Sequence, residues 1–198
     1  MIDEVVLGRF SNVCYHMSRK KDRSVIEVIE SFRPNQIECK KWLIEEIANL
    51  NPNWDRVLVL GSWNSILLWE IAQVNCNIKW FDFLDNNPRA HRHRDMYFEV
   101  NGLEKNYASI TMDAQDFSDH SSYDLIINTS CEHMPDIPAE YGPTYALQSN
   151  NYTSVKEHIN CVKSAAQLAE QNNLTRVLYK DAKKMPNYDR FMAIGYYA

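Results

Sequence analysis

Glycine is scarce in this sequence, at five residues in 198, and proline is little commoner at seven. With no low-complexity tract and no internal repeat, nothing marks a linker or a second domain. Cysteine is also few and scattered. Cys14, Cys39, Cys76, Cys131 and Cys161 are odd in number and form no CxxC pair, which excludes a zinc knuckle or a dithiol redox motif and predicts reduced thiols. No apolar run approaches the length that spans a bilayer, and Asp3 and Glu4 stand before any apolar stretch, which is wrong for a signal peptide. A soluble cytoplasmic protein with no membrane partner is expected. An excess of positive charge is missing too: 21 Lys and Arg stand against 26 Asp and Glu, a formal charge of -5. That balance disfavours nonspecific binding along a phosphate backbone. Two local basic patches, Arg19-Lys20-Lys21 with Arg23, and Arg89 with His91, Arg92, His93 and Arg94, are expected to be solvated faces.

What is present is an alternation of strand and helix signals within the length of one domain. Ile37 to Leu50 carries apolar residues at helical spacing and stops at Asn51-Pro52-Asn53. Val57-Leu58-Val59-Leu60 is a continuous apolar run ended by Gly61, as expected of a strand buried on both faces of a parallel sheet. A helix from Ser62 to Val74, a strand from Ile78 to Leu84, a helix from Pro88 to about Val100 and strands at Tyr107–Met112, Asp124–Asn128 and Thr144–Gln148 follow, then a helix over Val162–Asn172. Two last strand-like segments, Arg176–Lys180 and Arg190–Tyr197, flank the turn Met185-Pro186-Asn187, so they predict an antiparallel hairpin. The fold class is therefore α/β: a Rossmann-like, mostly parallel seven-stranded sheet with helices on both faces and a C-terminal antiparallel hairpin. Residues 1–36 are expected to be an extension packed on a domain formed by residues 37–198.

Alternation that ends in a hairpin resembles the class I S-adenosylmethionine-dependent methyltransferases, and three corners of the sheet carry the likeness further. Gly61-Ser62-Trp63-Asn64-Ser65 stands where the first strand meets its helix, where backbone amides converge on a ligand, although the family's loop is richer in glycine. Phe81-Asp82-Phe83-Leu84-Asp85-Asn86-Asn87-Pro88 resembles the family's second strand, ending in an acid that grips ribose. Asp85 lies 24 positions after Gly61, near the separation of roughly twenty found in nucleotide-binding sheets, with Asp82 the alternative. Met112-Asp113-Ala114 resembles the acidic loop beside the adenine. The resemblance thus implies S-adenosyl-L-methionine as cofactor, held by Gly61, Ser62, Trp63, Asp85, Asn86, Asp113, Ala114 and Asn128.

After the fourth strand, Thr129-Ser130-Cys131-Glu132-His133-Met134 resembles the Glu-His pair of ubiquinone-biosynthesis and small-RNA O-methyltransferases, in which Glu-x-x-Glu-His binds a divalent metal. Thr129 replaces the first Glu here, so Glu132 and His133 are read as pocket residues rather than metal ligands. An acceptor hydroxyl must shed a proton as it attacks, and a histidine suits that task. In this topology His158, in the loop after the fifth strand, should face the same cleft, which makes Glu132, His133 and His158 the catalytic candidates.

The stretches Ala146–Tyr152, Glu157–Cys161 and Asp189–Gly195 resemble a small group of tailed-bacteriophage proteins labelled methyltransferase by fold, which would place the chain in a host cytoplasm. Between Glu132 and Pro143 there is no room for the usual helix together with a substrate-covering insertion. A small-molecule acceptor is the first expectation, a nucleic acid or protein the second, and a non-catalytic binding or assembly role the third.

Overall fold

The computed structural model describes residues 3–198. Five strands run parallel, β1 (Asn53–Leu60), β2 (Asn77–Asp85), β3 (Tyr107–Thr111), β4 (Leu125–Asn128) and β5 (Thr144–Asn150), and a hairpin of β6 (Arg176–Lys184) and β7 (Asp189–Tyr196) completes one sheet in the order β3-β2-β1-β4-β5-β7-β6. Only β7 runs against the rest, inserted between β5 and β6. The chain builds outward from β1 through β2 to β3, then returns to lay β4 on the other side of β1. That reversal opens a crevice at the carboxyl ends of the central strands, where ligands of open α/β sheets bind.

The two faces of the sheet are covered unequally. On one lie α1 (Glu4–Arg19), α2 (Val25–Ser31), α3 (Pro34–Leu50), α4 (Ile66–Asn75) and α5 (Pro88–Val100), with Val13, Val28, Leu43, Leu68 and Phe98 packed on Val57, Val59, Phe81, Phe83, Leu125 and Ile127. The other carries a single helix, α6 (Ala165–Gln171), and is otherwise closed by turns and loops over Leu58, Leu60, Ile126, Tyr145 and Leu147. Strand alternation sends neighbouring residues to opposite faces, and the two-sided cover explains why β1 and β4 read as unbroken apolar runs.

Several boundaries differ from the sequence reading. α3 begins at Pro34, so the division at residues 36 and 37 falls inside a helix, and α1 and α2 contribute Val13, Met17 and Val28 to the main core. β5 runs past the expected Gln148 to Asn150, which puts Ser149 and Asn150 on a buried strand rather than in the loop after it. α6 is shorter than the expected Val162–Asn172, since Ser164 caps it by accepting from the Gln167 amide. The expectation of a solvated face at Arg89 to Arg94 holds for Arg89 and Arg92 but not for the others. His91, His93 and Arg94 are buried: Arg94 lies 4.1 Å over the Phe83 ring and donates to Ser109 Oγ at 2.8 Å, and His93 meets Ser24 Oγ at 2.8 Å, tying α5 to the start of α2. Burial lowers the Arg94 guanidinium to about 10. Among the described residues no helix is long and apolar enough to cross a membrane.

Candidate active site

The corner after β1 folds with unusual backbone. Gly61, Trp63 and Ser65 have φ of 54°, 47° and 47°, so two side-chain-bearing residues occupy the left-handed region that favours glycine. Each such residue costs on the order of 1–3 kcal/mol and persists only where its surroundings hold it. Here the Trp63 amide donates to Asp85 Oδ2 at 2.7 Å, the Ser62 amide to the Leu84 carbonyl at 2.9 Å, and Arg94 Nη1 reaches the Asn64 carbonyl at 3.4 Å. At Gly61 a Cβ would come within 2.5 Å of the Met134 methyl.

Beside this corner lies a cleft of about 670 Å³ lined by Gly61, Trp63, Asp85, Asn86, Asp113 and Ala114, with Leu84, Met112, Gln115, Ser130, His133, Met134, Pro135 and Ile159 completing it. That volume is within the range of ordinary small-molecule sites. Asp85, the last residue of β2, accepts from the Trp63 and Asn87 amides, one on each oxygen. A carboxylate has about four lone-pair positions, so two remain for hydroxyl donors in the cleft. Asp113 caps the short 3-10 turn Ala114–Asp116 through the Gln115 amide, and the apolar side chains of Met112 and Ile159, both exposed, flank the same space. Asp82 does not reach the cleft. It is buried under the thinly covered face, where Arg56 Nη2 at 2.6 Å and the Tyr123 hydroxyl at 2.8 Å donate to it. Two other cofactor candidates also lie elsewhere. Ser62 is buried and lines an inner chamber, while Asn128 stands behind the cleft wall, accepting from the Ser130 amide and donating to Met134 Sδ.

That inner chamber, about 150 Å³, adjoins the cleft at Gly61, Trp63, Ser130 and His133, and is walled by Gln36 and Lys40 of α3, Thr129, Glu132 and Arg190. Glu132 is buried, and its Oε1 accepts from Arg190 Nη1 and Asn150 Nδ2, both at 2.6 Å. Burial works against the Arg190 charge, but Glu132, by charge and by hydrogen bond, together with Cys39 and Tyr188, more than offsets it and holds the guanidinium above its usual value. Lys40 donates to Gln36 Oε1 and Thr129 Oγ1, each at 3.1 Å. Lys40, Arg190, Asn150 and Gln36 escaped the sequence reading. Only Arg190 left a signal, as a charge opening the apolar run Phe191 to Ile194.

His158 comes to His133, with ring centroids 4.5 Å apart and edge-on, and its Nδ1 meets the Tyr152 carbonyl at 2.6 Å. A carbonyl only accepts, so Nδ1 carries a proton. Burial lowers the His133 pKa; Glu132 opposes this and His158 adds to it. The donor atoms of Glu132, His133 and His158 lie within 4.8 Å of one another, a spacing that could hold a cation. The Arg190 guanidinium, however, already occupies Glu132, and a divalent ion there would meet a buried positive charge.

No family model and no curated protein matches the sequence. Solved structures do. The N-methyltransferase NodS from Bradyrhizobium japonicum WM9, in complex with S-adenosyl-L-homocysteine, is 12% identical with a TM-score of 0.64 over 92% of this chain and 97% of that one. The magnesium protoporphyrin IX methyltransferase ChlM from Synechocystis PCC 6803, with S-adenosylhomocysteine bound, is also 12% identical, with a TM-score of 0.62 over 85% and 86%. At such identities the likeness concerns the fold, and the fold of this chain is the Rossmann-like one of class I methyltransferases.

Proposed function

We propose that this chain is an S-adenosylmethionine-dependent methyltransferase acting on a hydroxyl or amine of a small molecule. The observation that carries the reading is the cleft, in which Asp85, fixed by two backbone amides and with lone pairs to spare, stands between the left-handed corner at Gly61 and the Asp113 turn. These residues fit the cofactor in kind. A carboxylate suits ribose hydroxyls, Asp113 suits an exocyclic amine, and Met112 with Ile159 offers apolar surface to a flat ring. S-adenosylmethionine supplies an electrophilic methyl group on a sulfonium centre. The protein holds an acceptor in line with it and takes up the proton that the acceptor loses. His133, at the junction of cleft and chamber, accepts that proton, and His158 stands edge-on behind it. Glu132, neutralised by Arg190, shapes the site and carries no metal in this reading.

A small acceptor is supported by the absence of a helix between β4 and β5, where only the 3-10 turn Cys131–His133 and a loop intervene. The nucleic-acid alternative loses its footing with Arg94, His91 and His93 buried, and with Arg89 and Arg92 paired to Glu27 and Asp22. A cytoplasmic setting, in a host cell if the bacteriophage resemblance holds, belongs to the same proposal. Calorimetric titration with S-adenosylmethionine and S-adenosylhomocysteine tests it. Binding of both is expected, and failure of both at millimolar concentration would favour a non-catalytic binding or assembly role.

A further inference from the structure

The sheet ends in two edges, and only one of them carries charge. β6, at one end, is nine residues long and bears Arg176, Lys180, Lys183 and Lys184. Self-pairing of that strand would set cation against cation, a common means of keeping an edge from joining another. β3, at the other end, is Tyr107-Ala108-Ser109-Ile110-Thr111 and has no charge at all. Its even-numbered residues turn their backbone toward β2, and the flanks agree: the Asn106 carbonyl accepts from the Phe81 amide, and the Met112 amide donates to the Asp85 carbonyl. The amides and carbonyls of Tyr107, Ser109 and Thr111 therefore face outward. Among the described residues they have no partner, and Ser109 and Thr111 are exposed.

We propose that two copies of this chain join through β3, antiparallel about a two-fold axis at Ser109, so that their sheets become one. In that register Ser109 meets Ser109 and Tyr107 meets Thr111, and each outward amide and carbonyl finds its counterpart. Tyr107 beside Thr111 is a favourable cross-strand pair, and on the opposite face Ala108 falls beside Ile110. The charges around the strand fit the same axis. Lys105 of one copy comes opposite Asp113 of the other, each four positions from Ser109. On the helical face a groove of about 380 Å³ runs beside Ser109 and Thr111, walled by Lys20 of α1 and by Arg92, Asp95 and Glu99 of α5. The two-fold sets α5 of one copy antiparallel to α5 of the other across this groove. Because Arg94 meets Ser109 at the axis, the Arg92 end of one helix faces the Glu99 end of the other, and both side chains are exposed. Opposite charges thus meet at each end of the joint. Asp113 also lines the cleft, so each copy brings a lysine to the rim of the other's site. The association itself does not rest on the methyltransferase reading.

Sedimentation equilibrium of the wild-type protein, from micromolar to near-millimolar concentration, should show a mass rising from 23.2 kDa toward twice that value. Thr111→Pro keeps the ladder to β2, because the Thr111 amide points away from it, yet it removes a donor from the joint and sets a ring in its path. This variant should stay at the mass of one chain with an unchanged circular dichroism spectrum. Ser109→Cys gives a test that does not depend on the proline. Residues paired across such an axis lie about 5.5 Å apart at Cα, within reach of a disulfide. Mild oxidation should therefore link two copies of Ser109→Cys, but neither the wild-type protein nor Lys180→Cys on β6. Lys105→Glu, which sets a carboxylate opposite Asp113, should raise the dissociation constant severalfold at low salt. A wild-type mass that stays at one chain at the highest concentration overturns the proposal. So does a doubled mass that Thr111→Pro leaves intact or that Ser109→Cys fails to trap, since the contact would then lie on another face.

Discussion

The two faces of the sheet contribute different halves of the site. The face covered by five helices supplies Gln36 and Lys40 from α3 and the start of α4, and so builds the chamber. The face covered by α6 and loops supplies Leu84, Ala114 and Met134, and so builds the cleft. Helices make a rigid wall around buried charge, whereas turns and loops leave side chains such as Met112 and Ile159 standing exposed at an open mouth. Gly61, Trp63, Ser130 and His133 lie where the two meet.

The contrast can be broken most forcefully in the core. Phe83→Ala, under the helical face with Arg94 and Phe81 against its ring, should cost about 3–5 kcal/mol in urea unfolding. Leu168→Ala on α6 should fall near the low end of about 2–5 kcal/mol, because loops collapse onto a cavity more readily than packed helices do. Equal losses would show that the thin cover is as stiff as the thick one. Glu132→Ala, which strands the Arg190 charge, should cost about 3–5 kcal/mol, while truncating both partners together should cost less than the sum.

Smaller effects sharpen the division of labour. With an acceptor in hand, His133→Ala should lower turnover on the order of a hundredfold at unchanged cofactor affinity, and His158→Ala should move in the same direction. Unchanged turnover in both would remove the proton-transfer role from the seam. Asp85→Ala should weaken cofactor binding by roughly 1.5–3 kcal/mol without unfolding the domain. The smallest effect is a titration. Because burial lowers the His133 pKa, its ring stays neutral and able to accept a proton at neutral pH, and gains its charge only as pH falls below about 6.5. Side-chain NMR of His133 checks this, and a midpoint above that value would contradict the environment described.

The central strands were legible because a strand buried on both faces writes an apolar run, as Val57–Leu60 and Leu125–Ile127 do. Asp85 was legible because a strand ending in an acid before Asn-Asn-Pro has few other placements. Buried charge was not. Arg94 sits in a string of five charged or imidazole-bearing residues that reads as a wet helix face, and partners distant in sequence, Phe83, Tyr107, Ser109 and Asn64, take it inside. Asp82 pairs with Arg56 across 26 positions, and Glu132 with Arg190 across 58. Such pairs come from the fold, and no local spacing announces them. The helices α1 and α2 went unread for a related reason: Val5, Leu7, Ile26 and Ile29 remain exposed, which blurs the periodicity that a buried stripe would give.

The placement of β7 has a consequence for the order in which the molecule can be made. This strand follows every other element in the chain, yet it sits inside the sheet between β5 and β6 and delivers Arg190 to Glu132. During synthesis the sheet through β5 can form first, with its growing edge open and the Glu132 carboxylate facing no guanidinium. β6 cannot dock on that edge until β7 has arrived to lie between them. A nascent chain halted before Asp189 would therefore carry a nearly whole cleft beside a bare strand edge, a species prone to pairing with its own kind.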